Sequence, residues 1–219
     1  MLSVGRSGLV VRDETPWVGQ AQRHFTARNW VAIPGFLGGD VLRTVLDGLK
    51  AARFHDAVRD CDEPVCRLVM EGDATVSMLS LFCNDPALFS IVQQITGCGP
   101  VQFFDGSVYR LTPAASIHYP WHNDFVEGRR VALTVNLSPD AYDGGVLEIR
   151  EPAAPGQIQE APNRGAGDAV LFRIGRDVEH RVTALTGGTK TAFAGWFSEA
   201  PSLLDRLHAR VASRKGDRC

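Results

Sequence analysis

The chain has little of several features that mark specialised protein classes. Its 219 residues contain no apolar run close to the roughly 20 residues that a membrane-spanning helix needs. Lysine and arginine total 23 against 25 aspartates and glutamates, so the basic excess typical of a nucleic-acid-binding domain is missing. The N-terminal apolar stretch is too short for a secretory signal peptide. We therefore expect a cytoplasmic protein without a nucleic-acid or membrane partner.

Cysteines are few and scattered. The chain has five, an odd number, which disfavours a disulfide framework. Cys61 and Cys66 are close in sequence, but no second Cys/His pair follows them, so a zinc site is not expected. A phosphate-binding glycine loop and the nucleophile elbow of serine hydrolases are also absent. The sequence thus lacks the usual signs of zinc, nucleotide and acyl-transfer chemistry.

The composition itself is that of an ordinary globular protein, with 44% hydrophobic and 22% charged residues. A chain of this length forms one domain and buries roughly 70% of its unfolded surface. We predict a single domain over residues 1–219. It would consist of a helical flank at 1–99, a β core at 100–199 and a C-terminal helix with a basic tail at 200–219.

Helix signals dominate the first hundred residues. Thr15-Pro16, Asp40 and Asp85-Pro86 are typical helix starts, and each precedes apolar residues at helical spacing. Gly97 is a typical stop for the third helix. Short extended pieces are expected between the helices, at residues 30–34 and 65–70.

From about Gly99 the pattern changes to short segments separated by proline, glycine, aspartate and asparagine. Eight such segments favour a sandwich or jelly roll, so the fold class is mainly β with flanking helices (α+β). The predicted strands cover residues 107–111, 117–122, 130–137, 146–150, 157–160, 169–174, 179–185 and 190–198.

His122, Asp124 and His180 are the first candidates for chemistry. Residues i and i+2 of an extended segment point to the same face, so the imidazole of His122 and the carboxylate of Asp124 can converge. Two imidazoles and one carboxylate form the facial triad that holds non-haem Fe(II) and leaves positions open. The H-x-D pattern alone is common by chance, so a plain turn or a packed strand histidine stays an alternative.

Lys190 adds context to this triad. Residues 184–188 predict a tight hairpin connection, which would place Lys190 on the next strand, running back past His180. Its ammonium could meet one carboxylate of a small dicarboxylate whose other end chelates the metal. The alternative is a solvated strand residue, although the surrounding segment is apolar and a lone lysine there needs a partner.

Several strand motifs accompany these residues. They are H-N-D at 122–124, D-G-G-V-L-E-I at 143–149, G-D-A-V-L-F at 167–172, H-R-V at 180–182, and Lys190 followed by G-W at 195–196. In this order and spacing they resemble the Fe(II)- and 2-oxoglutarate-dependent oxygenases, most nearly the prolyl-4-hydroxylase-like branch. The resemblance covers about residues 101–199. It implies a single oxygenase domain whose double-stranded β-helix (jelly-roll) core packs against the N-terminal helices.

The resemblance also implies roles for individual residues, with Fe(II), 2-oxoglutarate and O2 as the cofactor and cosubstrates. His122, Asp124 and His180 match the catalytic iron ligands, and Lys190 matches the residue that binds the distal carboxylate of 2-oxoglutarate. Weaker matches to cosubstrate-binding positions are Tyr109, Thr134 and Asn136, and weaker candidates for substrate-lining positions are Tyr119, Trp121 and Trp196. Strand pairing is an equal alternative for Thr134, and packing is an equal alternative for Tyr119 and Trp121.

The activity that the resemblance implies is hydroxylation of an unactivated C–H bond, with release of succinate and CO2. Asp124 stands where halogenating relatives have a small residue, which favours hydroxylation or another oxidation. Lys190 and the balanced charge fit the AlkB-like demethylase branch poorly. An amino acid, a peptide or a small natural product is the expected substrate. The alternatives are desaturation or cyclisation at the same site, or a non-catalytic jelly-roll module that binds a metal or ligand.

Overall fold

In the computed structural model, four helices and five short strands make up the first part of the described chain, and nine more strands follow the last helix. The structure describes residues 2–6, 8–11, 14–57, 67–71, 74–113, 120–126, 128–162 and 165–199. The helices are Glu14–Arg28 (α1), Gly39–Ala51 (α2), Ala74–Cys83 (α3) and Pro86–Thr96 (α4). The strands are Leu2–Gly5 (β1), Gly8–Val11 (β2), Trp30–Ile33 (β3), Phe54–Ala57 (β4), Arg67–Met70 (β5), Phe103–Leu111 (β6), Arg129–Asn136 (β7), Asp143–Gly144 (β8), Leu147–Arg150 (β9), Gln159–Ala161 (β10), Ala169–Arg173 (β11), Glu179–Val182 (β12), Leu185–Gly187 (β13) and Lys190–Ser198 (β14).

A seven-stranded antiparallel sheet is the framework of the fold. Its strand order is β3-β11-β7-β14-β6-β5-β4, and β14 pairs with β6 on one side and β7 on the other. Side chains alternate between the two faces of a strand, so one face of the sheet carries large apolar residues such as Leu133, Phe193 and Phe197. These residues form the main core together with residues of the helices.

The opposite face of the large sheet packs on a smaller, three-stranded sheet in the order β10-β9-β12. A second apolar cluster joins them, with Ala132 and Phe172 from the large sheet and Leu147 and Ile149 from the small one. Two facing antiparallel sheets beside a helical layer are the predicted jelly-roll arrangement, so the predicted fold class is confirmed. The space between these sheets is where the candidate site lies.

Helix α4 begins and ends as its sequence predicts. Asp85 is its N-cap and accepts a hydrogen bond from the Ala87 amide at 2.8 Å, and Pro86 occupies the first turn. Gly97 ends it in the left-handed conformation. The prediction for α2 was wrong by two residues, because Gly38 is the N-cap and Asp40 lies in the first turn.

The N-terminal region contains more than the three predicted helices. Helix α3 was missed because its sequence, ATVSMLSLFC, is apolar on most sides and lacks charged residues in its first and last turns. The hairpin of β1 and β2 was also missed, and β3, β4 and β5 extend the large sheet.

No single helix in the described part of the chain is long and apolar enough to cross a membrane. Helices α3 and α4 qualify only as a pair, bent by 57° at the break between them.

Two predicted strand features differ in the structure. Residues 120 and 121 are not in a strand, and His122 forms an isolated bridge to His180. The segment between His180 and Lys190 is not a tight hairpin, because β12 and β14 belong to different sheets and β13 pairs with β8. Apolar alternation identifies a strand, but it does not identify its partner. The predicted C-terminal helix and basic tail, Cys61, Cys66 and Cys219 lie outside the described residues.

Candidate metal centre and adjoining cavity

The three candidate ligands meet at one point between the two sheets. One ligand atom from each of His122, Asp124 and His180 lies within 4.8 Å of the others. The Asp124 carboxylate is central: its Oδ2 is 3.3 Å from His180 Nε2, and its Oδ1 is 3.9 Å from His122 Nε2. The spacing fits a single metal ion that takes one atom from each side chain.

Backbone pairing brings the two histidines together. The His122 amide donates to the His180 carbonyl at 3.1 Å, and the His180 amide donates to the His122 carbonyl at 2.8 Å. This antiparallel bridge fixes the segment carrying His122 and Asp124 against β12, and the two imidazole rings lie 4.4 Å apart between centroids. The side chains of His122 and Asp124 therefore converge as expected, although His122 is the residue of H-N-D that takes part in β pairing.

Contacts around the imidazoles orient their Nε2 atoms toward the carboxylate. The Pro120 carbonyl lies 2.9 Å from His122 Nδ1 and can only accept, so Nδ1 carries the proton and Nε2 is the basic nitrogen. His180 is 5% exposed and packs at 5.0 Å from the Phe172 ring. Its buried Nδ1 has no hydrogen-bond partner among the described residues.

Asp124 is held in its ionised form. Burial alone would raise its pKa, but hydrogen bonds from His180 and Trp196 and the nearby His122 lower the pKa to about 2. Trp196 Nε1 donates to Asp124 Oδ2 at 2.9 Å. Arg129 stacks on the Trp196 ring at 3.8 Å and also lies 3.4 Å from the Asp124 carbonyl. Trp196 and Arg129 thus hold the carboxylate in place.

This donor set fits Fe(II). Two imidazole nitrogens and one carboxylate oxygen on the same side of a metal leave the remaining positions open, which is the arrangement of non-haem iron oxygenases. None of the described residues near the triad adds a thiolate that would favour structural zinc. His122, Asp124 and His180 are therefore the residues that would hold the iron.

A cavity of about 100 Å³ adjoins the triad, and Lys190 lies in its wall. Lys190 is 6% exposed, donates to the Gly145 carbonyl and lies 5.7 Å from the centre of the Tyr142 ring. Burial lowers the pKa of Lys190 to about 8, because the charged ammonium loses hydration there. A carboxylate entering the cavity would restore the lost stabilisation of the ammonium.

The other predicted site residues are only partly brought together. Tyr109, Thr134 and Trp196 line the cavity with the triad. Asn136 lines a neighbouring cavity beside Lys190, and its side-chain oxygen accepts from the Ser138 amide at 3.0 Å.

The structure does not place Trp121 in the wall of this cavity, where a substrate-lining role would need it. The guanidinium groups of Arg150 and Arg181 lie over its ring, at 4.1 and 4.6 Å from the ring centre. Both arginines also pair with a glutamate of the small sheet, Arg150 with Glu179 and Arg181 with Glu148. Tyr119, the neighbouring candidate, lies outside the described residues.

Sequence reasoning missed three residues near the cavity. Arg67 and Ser107 line it from β5 and β6, and Tyr142 lies over Lys190. A single arginine, serine or tyrosine does not form a repeating sequence pattern that would predict a place in a cavity. Its position becomes known only from the way the strands and loops come together in the fold. Gly145 also lies beside Lys190: its φ is +62°, and a Cβ there would lie 3.1 Å from Lys190 Cδ.

A comparison with family models agrees with the fold and the triad. Residues 107–198 match the family model of the 2OG-Fe(II) oxygenase superfamily. This match confirms the resemblance inferred from the sequence motifs, and it covers the β core from Ser107 to Ser198. The family uses Fe(II), 2-oxoglutarate and O2, which confirms the predicted cofactor and cosubstrates. The comparison with curated proteins gave no match.

Solved structures share the fold at low sequence identity. A prolyl-4-hydroxylase from Pseudomonas putida has 19% identity and a TM-score of 0.63 over 84% of this chain and 100% of that chain. A prolyl hydroxylase from Trichoplax adhaerens, solved with a hypoxia inducible factor oxygen degradation domain peptide fragment, has 16% identity and a TM-score of 0.62 over 84% and 89%. The non-heme alpha ketoglutarate dependent epimerase SnoN from nogalamycin biosynthesis has 15% identity and a TM-score of 0.61 over 84% of each chain.

Proposed function

We propose that this protein is a hydroxylase that oxidises an unactivated C–H bond of an amino-acid, peptide or small natural-product substrate. In the proposed reaction the substrate C–H becomes C–OH, and 2-oxoglutarate is converted into succinate and CO2. One oxygen atom of O2 enters the product and the other enters succinate, so atoms and electrons balance. The observation that carries the proposal is that the triad and Lys190 line one cavity.

Each residue has a defined task in this proposal. His122, Asp124 and His180 hold Fe(II), which together with 2-oxoglutarate and O2 supplies the oxidising chemistry when bound. Lys190 neutralises the distal carboxylate of 2-oxoglutarate and fixes its orientation along the cavity.

The walls of the cavity support the same task. Trp196 keeps the Asp124 carboxylate turned toward the histidines through its 2.9 Å hydrogen bond. Leu147, Phe172 and Val182 make part of the wall apolar. An apolar wall excludes water and so protects the reactive site from side reactions.

Two similar structures support a peptide or amino-acid substrate. Both are prolyl hydroxylases, and one of them was solved with a peptide. The SnoN epimerase supports a second candidate, because the same fold carries a different outcome there. An outcome other than hydroxylation is therefore the alternative for this site, and desaturation or cyclisation of a small metabolite is the form of it that the sequence resemblance suggests.

The first test asks whether the site binds iron and cosubstrate. Fe(II) and then 2-oxoglutarate are added anaerobically, and the weak visible charge-transfer band of a chelated keto acid is recorded. We expect a saturable band in the natural protein, loss of the band in His180→Ala, and an unchanged band in the control His55→Ala, which alters an exposed histidine of β4.

The second test separates the outcomes of the reaction. With O2 admitted and a stimulating substrate present, the product mass is measured beside succinate. Gain of one oxygen supports hydroxylation, whereas loss of two hydrogens supports desaturation or cyclisation. A natural protein that is folded but shows neither band nor succinate would instead favour the non-catalytic binding module.

A further inference from the structure

Arg67 is a cationic residue in the wall of the cavity, and neither metal binding nor cosubstrate binding as proposed above gives it a task. It is the first residue of β5, which pairs with β6 so that Leu68 is opposite Arg110 and Val69 is opposite Tyr109. Side chains alternate along a strand, so Arg67 and Val69 share the face of the sheet that carries Tyr109. The guanidinium carbon lies 5.9 Å from the centre of the Tyr109 ring, and Arg67 lines the same cavity as the triad.

The described residues supply no anion to the guanidinium of Arg67. Its Nε is buried and has no hydrogen-bond partner among the described residues. The described chain also gives it no ion pair, whereas Arg150 and Arg181 on the outer side of the small sheet both pair with glutamates. A buried donor without an acceptor is unfavourable, so such a group in a cavity indicates a ligand that completes it.

The charges of the cavity indicate the sign and size of that ligand. Among the described residues, the charged side chains that line it are Asp124, Lys190 and Arg67. One Fe(II) ion, the Asp124 carboxylate, a doubly charged 2-oxoglutarate and the Lys190 ammonium together are neutral. Arg67 therefore leaves one positive charge in the loaded cavity, and a substrate with one negative charge would cancel it.

We propose that Arg67 recognises a carboxylate of the substrate and thereby selects monoanionic substrates for this site. The planar guanidinium offers paired N–H donors that match a carboxylate in a bidentate manner. The carboxylate comes either from a small acid with one net negative charge, such as an N-acylated amino acid, or from an acidic side chain in a peptide. The proposal rests on the proposed function, because it names the substrate class of the same cavity.

The test uses pairs of probes that differ only in this charge. The free-acid arm compares N-acetyl-L-proline, N-acetyl-L-leucine and N-acetyl-L-phenylalanine, which are monoanions, with their neutral amides. The peptide arm compares N-acetylated, C-amidated tripeptides that carry a central glutamate or glutamine. Binding is measured anaerobically by calorimetry and by the shift of the charge-transfer band in the Fe(II)- and 2-oxoglutarate-loaded protein, and stimulation of 2-oxoglutarate consumption is measured in air.

We expect at least one acid to bind and stimulate at least tenfold better than its neutral partner. Arg67→Gln should abolish that preference, and Arg67→Lys should retain part of it because the charge remains. Arg53→Gln, which alters an exposed arginine just before β4, should behave like the natural protein. A preference for the acid in the free-acid arm would identify a small acid as the source of the carboxylate. A preference for glutamate in the peptide arm would identify an acidic side chain of a peptide.

Failure of this proposal is distinct from failure of the proposed function. Absence of the band in the natural protein would contradict the iron and cosubstrate site itself. With the band present, three results would overturn the role of Arg67: equal binding of acids and amides, no stimulation by any acid, or an unchanged preference in Arg67→Gln. Loss of the substrate-free band in Arg67→Gln would also overturn it, because Arg67 would then belong to the cosubstrate site.

Discussion

At the scale of single residues, the site depends on how each charge is compensated. Asp124 keeps its negative charge because His180 and Trp196 donate hydrogen bonds to its carboxylate and the nearby His122 adds a favourable electrostatic interaction. Lys190 is the opposite case, since burial lowers its pKa to about 8 and the Gly145 carbonyl supplies a dipole rather than a charge. The Asp124 carboxylate can thus bind a metal over a wide pH range, whereas the Lys190 ammonium begins to lose its proton at about pH 8.

The depressed pKa of Lys190 predicts how the affinity for 2-oxoglutarate depends on pH. A bound carboxylate favours the charged ammonium and raises this pKa, so above about pH 8 binding must take up a proton. Affinity should be constant below pH 8 and should then fall by about tenfold per pH unit. Anaerobic titrations of the charge-transfer band between pH 7 and pH 9.5 measure the dependence.

Lys190→Arg is the matched variant for this measurement. A guanidinium stays protonated throughout the range, so its titrations should show no decline above pH 8, whatever its absolute affinity. A flat profile in the natural protein, or the same decline in both proteins, would contradict the assignment of Lys190 to the distal carboxylate.

At the scale of elements, the connection around β8 determines the shape of the cosubstrate end of the cavity. Gly144 and Gly145 both have positive φ, and Gly145 brings its carbonyl to the Lys190 ammonium. A Cβ at Gly145 would lie 3.1 Å from Lys190 Cδ and 3.2 Å from Leu185 Cδ1. Both side chains would have to shift, and the backbone would be strained by about 1 kcal/mol.

We therefore expect Gly145→Ala to weaken 2-oxoglutarate binding several-fold while the protein still binds Fe(II). The control is Gly156→Ala, where an added Cβ has no atom within 4 Å and φ is not positive. Both variants are compared by anaerobic titration of the charge-transfer band and by circular dichroism. Equal 2-oxoglutarate affinity in the two folded variants would show that this connection does not position Lys190.

The elements also show where prediction from the sequence succeeds. Helix α4 has its cap, its proline and its terminal glycine within a few residues of one another, so its ends could be predicted. The triad could be predicted for a similar reason, because H-N-D is a local pattern and the strand motifs around it resemble a known family. Local chemistry was sufficient in both cases.

Long-range pairing explains what could not be predicted. Arg67 enters the cavity only because β5 pairs with β6, and Lys190 reaches it through β14 of the large sheet rather than through a hairpin from β12. Trp121 follows the same rule, since its neighbours Arg150 and Arg181 come from β9 and β12. Which strand pairs with which is a property of the whole fold, and a one-dimensional pattern carries little of it.

At the scale of the whole molecule, the candidate site joins parts that are far apart in sequence. The triad connects the segment after β6 to β12 in the small sheet, whereas Lys190 and Trp196 lie on β14 at the centre of the large sheet. A metal and a dicarboxylate bound together would therefore link the two sheets. Ligands that bind only the folded state stabilise it, and the gain depends on their concentration relative to Kd.

This linkage predicts a thermal shift. Fe(II) with 2-oxoglutarate at about 100 times Kd should add about 2.7 kcal/mol to the free energy of unfolding and raise Tm by roughly 5–10 °C. Removing the metal with a chelator should reverse the shift. Differential scanning calorimetry under anaerobic conditions measures it, with Asp124→Ala as the matched variant. An equal shift in that variant would mean that the ligands stabilise the protein from somewhere other than the space between the two sheets.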